Sequence, residues 1–125
     1  MPMRQYLEQY RQVDIALDPF PYGGGTTTCD ALWMGVPVIS LAGDRAGSRT
    51  GVSLLSNVGL TDFIADSPGQ YSAIAAKWAA NLPALSTLRN TLRQRMLASP
   101  LMDSKTFAAD VESAYRAMWQ TWCDR

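Results

Sequence analysis

The sequence contains no histidine, and only two of its 125 residues are cysteines, Cys29 and Cys123. Without histidine, the chain cannot form a Ser-His-Asp triad, a Cys-His pair or a histidine-metal centre from its own residues. Two cysteines so far apart are also too few for a disulfide framework or a zinc site. These absences exclude several common catalytic centres, and we expect no metal site.

The sequence also lacks an excess of charge and a long apolar run. Eleven basic residues balance eleven acidic residues, so the charge signature of a nucleic-acid-binding protein is absent and we expect no nucleic-acid partner. The longest apolar stretch, residues 31–42, is interrupted by Gly35 and Pro37 and is too short to span a bilayer. The first residues contain no apolar signal core. We therefore expect a cytoplasmic protein without membrane association.

The first half of the chain has the pattern of a parallel α/β unit. After a short helical segment, residues 13–17 predict a strand that ends at Asp18, and the turn-rich residues 19–25 follow. Residues 26–34 predict a helix with a threonine as N-cap, terminated by Gly35 and Pro37. Residues 36–41 are continuously apolar, as in a strand buried on both faces. This strand, loop, helix and strand order is typical of a parallel sheet.

The second half is predominantly helical. A polar loop continues to Arg49, a short helix that opens at Ser48 ends near Gly59, and residues 60–65 predict a weak strand. Three apolar stripes at helical spacing follow, and we expect them, with Trp33, to face the core: Tyr71, Ile74, Ala75, Trp78 and Leu82; Leu85, Leu88, Leu92 and Met96; Phe107, Val111, Ala114, Tyr115, Met118 and Trp122.

The number of predicted strands is low for a complete nucleotide-binding domain. A doubly wound domain has about five or six strands, and this chain offers two good candidates and one weak one. We therefore expect a partial Rossmann-like fold of a single domain, residues 1–125, in which residues 1–66 form the α/β core and residues 67–125 the C-terminal helices. The missing strands are expected before Met1.

Residues 18–30 carry the chemistry of the sequence. Three glycines, residues 23–25, precede the predicted helix and allow a phosphate to approach its unpaired N–H groups. Thr26, Thr27 and Thr28 add hydroxyl donors, and Asp30, one turn after Thr26, can accept hydrogen bonds from ribose hydroxyls. The segment therefore suggests a nucleotide site, although ordinary helix capping and the helix dipole explain the same residues. It matches neither the P-loop nor the dinucleotide fingerprint.

Several neighbouring side chains admit two interpretations. Arg45 and Arg49 follow the second strand and can neutralise phosphate, but Arg49 can equally form a structural ion pair or cap a carbonyl. Cys29 lies where a helix opening would stabilise a thiolate, yet without a nearby base we interpret it as a small buried residue. Tyr22 can stack on a base or sugar, or can brace the turn.

Residues 14–37, DIALDPFPYGGGTTTCDALWMGVP, strongly resemble the C-terminal catalytic region of the O-linked N-acetylglucosamine transferase and SPINDLY-like family, glycosyltransferase family 41. The likeness continues through Ser48-Arg49 and residues 53–55 and 58–60. It resumes at residues 88–89 and 99–101 and at the aromatic end, residues 115–122. The resemblance implies the C-terminal, donor-binding part of a two-domain GT-B fold. It implies that Thr26 and Thr27 contact the donor diphosphate, that Asp30 binds ribose, and that Thr28 is structural. At Gly25 the animal enzymes carry a histidine that contacts the donor, and glycine offers only its N–H.

The resemblance also implies a function. We expect this chain to be the nucleotide-sugar-binding portion of an intracellular, bacterial-type glycosyltransferase that transfers N-acetylglucosamine from UDP-N-acetylglucosamine to protein hydroxyl groups. We expect this fragment alone to be inactive. Expected donor-binding residues are Gly24, Gly25, Thr26, Thr27, Asp30 and Arg49, with no metal and no catalytic residue identified. Expected partners are the donor, a missing N-terminal catalytic domain, tetratricopeptide repeats and a protein acceptor. Alternatives are a relative that uses GDP-fucose or UDP-glucose, or a truncated interaction module that forms a homodimer.

Overall fold

The computed structural model describes residues 2–124, so the predicted domain limits at Met1 and Arg125 lie outside the described residues. Within the described part the chain forms six α-helices and three β-strands. The helices are α1 (Met3–Gln9), α2 (Thr26–Trp33), α3 (Thr50–Asn57), α4 (Pro68–Ala79), α5 (Leu82–Leu97) and α6 (Ser104–Cys123). The strands are β1 (Ala16–Leu17), β2 (Val38–Leu41) and β3 (Ile64–Ala65). None of these helices is long and apolar enough to cross a membrane.

The three strands form one parallel sheet in the order β1-β2-β3. Helix α2 connects β1 to β2 and α3 connects β2 to β3, as parallel neighbours require. The fold class expected from the sequence is confirmed: a short parallel sheet is followed by a helical C-terminal half.

The strands are shorter than the sequence predicts. The predicted strand 36–41 is shortened to β2, because the Val36 N–H donates instead to the Ala31 carbonyl at the end of α2, and of Pro37 only the carbonyl pairs with β1. The predicted strand 60–65 pairs only over β3, because Thr61–Phe63 form a 3-10 turn. Hydrophobicity indicated the buried segments correctly, but the neighbouring helix ends and turns took part of each segment out of the sheet.

Glycines end the two crossover helices as the sequence predicts. Gly35 after α2 has φ 79° and Gly59 after α3 has φ 70°, a backbone conformation that favours glycine. The Leu60 N–H donates to the Leu55 carbonyl across the second of these ends (2.8 Å). Each helix therefore stops where the chain must turn back into the sheet.

The core lies between the sheet and helices α2 to α5. The predicted second stripe, on α5, is fully confirmed, since Leu85, Leu88, Leu92 and Met96 are all buried. The first stripe, on α4, is half-buried, and Trp78 stacks on Phe63 with ring centroids 4.8 Å apart. Leu82 is an exception: it is exposed, because α4 ends at Ala79 and Leu82 is the first residue of α5.

Helix α6 corrects the prediction for the third stripe. Its apolar residues are exposed rather than buried, apart from the half-buried Val111, and Trp122 retains 66% of its accessible surface. The helix packs on the body mainly through the short turn Pro100–Met102. Amphipathic spacing shows that a helix has an apolar face, but it does not show that the same chain covers that face. By contrast, Trp33 packs against the core as predicted, with the Arg93 guanidinium 4.8 Å above its ring.

Candidate functional site

The loops that follow β1 and β2 meet at the carboxyl edge of the sheet. The Gly23 N–H of the first loop donates to the Gly47 carbonyl of the second (3.2 Å). The Tyr22 ring lies against Gly47 so closely that a Cβ there would stand 3.0 Å from the ring. Tyr22 therefore braces the contact between the loops, while most of its ring stays exposed. In open α/β sheets this edge is where ligands bind.

The opening of α2 lies at the same edge and is not capped by a side chain. Gly25 occupies the N-cap position in place of the expected threonine, so no hydroxyl is used for capping. Thr26 and Thr27 are exposed, whereas Thr28 is buried as a structural residue. The first backbone N–H groups of the helix and two hydroxyls are therefore available together, which is an arrangement that suits an anion.

Gly25 keeps this opening accessible. A Cβ at Gly25 would meet only the Thr50 methyl group, at 3.8 Å, so no neighbouring group crowds this position. The same contact places the first turn of α3 beside the first turn of α2. The site is thus formed by two helix openings and the loops that lead into them.

Asp18 anchors the glycine-rich loop from inside the protein. From the sequence, Asp18 was predicted only as the end of the first strand. It is 4% exposed, and its two carboxylate oxygens accept hydrogen bonds from the Gly24 N–H and the Ser40 hydroxyl, both at 2.7 Å. The N–H of Gly24, a predicted donor-binding residue, is therefore engaged inside the protein. An aspartate directly after an apolar strand and before a glycine-rich turn was the available signal.

Tyr71 of α4 also holds the loop that follows β1. Its hydroxyl donates to the Asp18 carbonyl (2.7 Å), and its ring meets Phe20 edge to face at 5.7 Å. Burial, followed by the nearby Asp18 charge, raises the pKa of Tyr71, so the phenol keeps its proton and remains a donor.

Asp30 is half-buried and already accepts one hydrogen bond. The Tyr6 hydroxyl of α1 donates to Asp30 Oδ2 (3.2 Å) and shares a 2.7 Å hydrogen bond with the Tyr10 hydroxyl. The hydrogen bond to Tyr10, then burial, raise the pKa of Tyr6 well above its ordinary value. A carboxylate offers about four acceptor positions, so Asp30 retains capacity for a sugar hydroxyl.

Arg49 and Cys29 follow the structural interpretation, and the Arg45 side chain is exposed. Arg49 Nη1 donates to the Gly43 carbonyl (2.9 Å) in the second loop, which is the structural alternative considered from the sequence. Arg45 is exposed and contributes its backbone to the turn that Ser48 closes. Burial, followed by the Asp30 charge, raises the pKa of Cys29, so it keeps its proton at neutral pH and is not a thiolate.

The site is an open wall rather than an enclosed pocket. A concavity of about 170 Å³ lies beside the α2 opening, lined among others by Tyr10, Leu17, Pro19 and Thr27. Sites for small molecules enclose about 300–1,000 Å³. Larger concavities of about 550 Å³ lie along α6, away from the donors described above.

A parallel sheet with an uncapped helix opening at its carboxyl edge is an arrangement that also occurs in α/β domains that bind nucleotides. Comparison with known proteins narrows the class. The model of glycosyl transferase family 41 matches residues 3–111, and the chain therefore belongs to this family.

Sequence relatives and a solved structure agree with this assignment. The chain is 44% identical over 119 residues to a probable UDP-N-acetylglucosamine–peptide N-acetylglucosaminyltransferase SPINDLY of Hordeum vulgare, and 43% identical over 118 residues to that of Arabidopsis thaliana. These matches cover 95% and 94% of this chain but only 13% of either relative. A mutant O-GlcNAc transferase of Thermobaculum terrenum is 39% identical and superposes with a TM-score of 0.90, over 99% of this chain and 24% of that one. The family and the GT-B-type fold predicted from the sequence are thus confirmed.

Proposed function

We propose that this chain supplies the donor-binding wall of a family 41 glycosyltransferase, with UDP-N-acetylglucosamine as the donor. The observation that carries the proposal is the uncapped α2 opening, with Thr26 and Thr27 exposed at the carboxyl edge of the sheet. The names of the plant relatives, which specify UDP-N-acetylglucosamine and a peptide acceptor, support the choice of donor and of a protein acceptor.

The proposed chemistry is stabilisation of a departing diphosphate. Transfer of a sugar to a hydroxyl leaves a nucleoside diphosphate whose negative charge grows in the transition state, so fixed donors lower the barrier. The Gly25, Thr26 and Thr27 N–H groups and the threonine hydroxyls are these donors, and Asp30 accepts from the ribose. Arg49, at the N-cap position of α3, supplies positive charge beside the site while its guanidinium holds the Gly43 carbonyl. This role needs no metal ion, and we assign no catalytic base to this chain.

The proposal includes a second domain that completes the cleft. The chain spans about one eighth of the plant relatives, its site is one open wall, and the apolar face of α6 is exposed. We infer that an N-terminal catalytic domain, with tetratricopeptide repeats in the longer protein, supplies the acceptor side. Accordingly, the isolated chain binds donor weakly and transfers no sugar. Robust turnover by the purified chain would contradict this inference.

Two substitutions test the donor site. In the full-length protein that contains this chain, Thr26→Ala and Asp30→Ala remove a diphosphate donor and a ribose acceptor, and each should weaken UDP-N-acetylglucosamine affinity by about 1–3 kcal/mol. Thr61→Ala is the matched control, because Thr61 is exposed at the amino end of β3. Isothermal titration measures the affinities. Unchanged affinity in both site variants would overturn the proposal.

The identity of the nucleotide and the interaction-module alternative need separate measurements. Gly25 cannot provide the imidazole that the animal enzymes use, so GDP-fucose and UDP-glucose remain candidate donors, and thermal shifts with UDP and GDP distinguish the bases. The exposed face of α6 favours the other alternative, a self-associating module. A dimer that covers the α2 opening and shows no thermal shift with either nucleotide would favour the interaction-module alternative.

A further inference from the structure

Asp18 is a buried acidic residue that the proposed chemistry does not use directly. Its side chain cannot reach a ligand in front of α2 without rearrangement, because it is 4% exposed and faces inward. Both of its carboxylate oxygens are occupied by donors from other segments, namely the Gly24 N–H of the first loop and the Ser40 hydroxyl of β2. One carboxylate therefore joins the glycine-rich loop to the central strand.

The surroundings of Asp18 leave the loop little freedom to take another course. A Cβ at Gly23 would stand 2.9 Å from Asp18 Oδ2, and a Cβ at Gly51 would stand 2.9 Å from the same oxygen. A Cβ at Gly24 would stand 2.7 Å from both the Thr27 and the Thr28 hydroxyl oxygens. The loop and the first turn of α3 thus close around the carboxylate, and glycines are required where they do so.

We propose that Asp18 is the positioning residue of the donor site. By holding the Gly24 N–H inward, it sets the direction in which the chain enters α2, and it leaves the first N–H groups of the helix without a side-chain cap beside the exposed residues Thr26 and Thr27. Tyr71 reinforces this arrangement through the Asp18 carbonyl, so α4 is coupled to the same loop. The inference rests on the proposed function, because it assigns Asp18 a role in presenting that site.

Four variants of the complete chain test this role. Asp18→Ala removes both hydrogen bonds, and Ser40→Ala removes one. Asp18→Asn keeps the size of the side chain, accepts from Gly24 and donates to the Ser40 oxygen, so it should rescue the loop. Asp14→Ala is the matched control, since it removes the same charge from an exposed residue whose ion pair with Arg89 lies at the surface.

Two measurements separate positioning from general stability. Amide exchange at Gly24 reports the tether without any ligand, and NMR titration with UDP at the amides of Thr26 and Thr27 reports the site. We expect Asp18→Ala to lose Gly24 protection and UDP affinity, each by about ten-fold or more. Ser40→Ala should show a smaller loss of both, and Asp18→Asn and Asp14→Ala should stay near wild type. The variants are compared at a temperature well below the thermal unfolding midpoint of each, so that lower stability alone does not lower UDP affinity.

The outcomes are distinct. If Asp18→Ala loses Gly24 protection but keeps its UDP affinity, the positioning role is overturned. Should Asp18→Ala not fold, the same result in Ser40→Ala would overturn it. Unchanged Gly24 protection in these variants would overturn the tether itself. If wild-type protein showed no response to UDP, the proposed function would fail for this chain, while Gly24 exchange would still decide whether Asp18 holds the loop.

Discussion

At the scale of single residues, the glycines of this chain differ in what their neighbours permit. Gly51 and Gly69 are each the second residue of a helix, α3 and α4 respectively. A Cβ at Gly51 would stand 2.1 Å from the Ser40 hydroxyl oxygen, whereas a Cβ at Gly69 would meet nothing within 4 Å. The same residue type is thus required by packing at one position and unnecessary at the other.

This difference predicts opposite effects of one substitution. Gly51→Ala should destabilise the protein by about 1–3 kcal/mol, because Ser40 and Asp18 must move to admit the methyl group. Gly69→Ala should stabilise it by about 0.5–1 kcal/mol, because alanine restricts the unfolded chain and favours the helix. Urea unfolding of the two variants measures both values. A stable Gly51→Ala variant would show that the contacts around Asp18 are looser than described.

At the scale of secondary-structure elements, α6 depends most on its own capping. Asp103 accepts hydrogen bonds from the Thr106 N–H (3.1 Å) and from the Thr106 hydroxyl (2.7 Å). The hydrogen bonds from Thr106 lower the pKa of Asp103 below its ordinary value of 3.8. Because the described residues of α6 include no fully buried side chain, tertiary packing adds little to this cap.

The lowered pKa predicts how the start of α6 responds to acid. A carboxylate with a lower pKa in the folded state stabilises the helix above its unfolded pKa, and this contribution is lost as the pH falls through the folded value. The amides of the first turn should therefore lose helical shifts in NMR spectra recorded below about pH 4. Asp103→Asn retains a good N-cap that does not titrate. If that variant lost the same turn at the same pH, Asp103 would not be the cause.

At the scale of the whole molecule, the apolar face of α6 dominates the surface. Phe107, Tyr115, Met118, Trp119 and Trp122 are each exposed by about two thirds and lie on one side of the helix. Contiguous apolar patches on soluble proteins mark interaction sites. In the proposed function the rest of a larger enzyme covers this face, and the isolated chain presents it to solvent.

The isolated chain should accordingly bind an apolar dye and associate weakly. Replacing Trp119 and Trp122 together by glutamine should reduce dye fluorescence and the sedimentation coefficient of the associated fraction, while leaving the unfolding midpoint within a few degrees. Lys105→Gln on the polar side of α6 is the control and should change neither. Equal dye binding by the double variant would place the apolar surface elsewhere.

Much of the fold followed from sequence patterns that depend on neighbouring residues. The order of strands and helices, the glycine ends of α2 and α3, and the buried stripe of α5 were predicted correctly because propensity and periodicity act over a few residues. The roles of Thr26, Thr27 and Asp30 in donor binding stay predictions. The structure shows that the two threonines are exposed and that Asp30 already has Tyr6 as a partner.

The sequence by itself determined the parallel α/β class, the position of the glycine-rich helix opening and, through its resemblance, the family. Only the tertiary structure decided that Asp18 holds Gly24, that Arg49 caps a carbonyl, and that the third stripe faces solvent. The physical reason is the distance along the chain over which each interaction acts. Local patterns fix backbone conformation, whereas hydrogen bonds such as Ser40 to Asp18, and the burial of a helix face, depend on segments that only folding brings together.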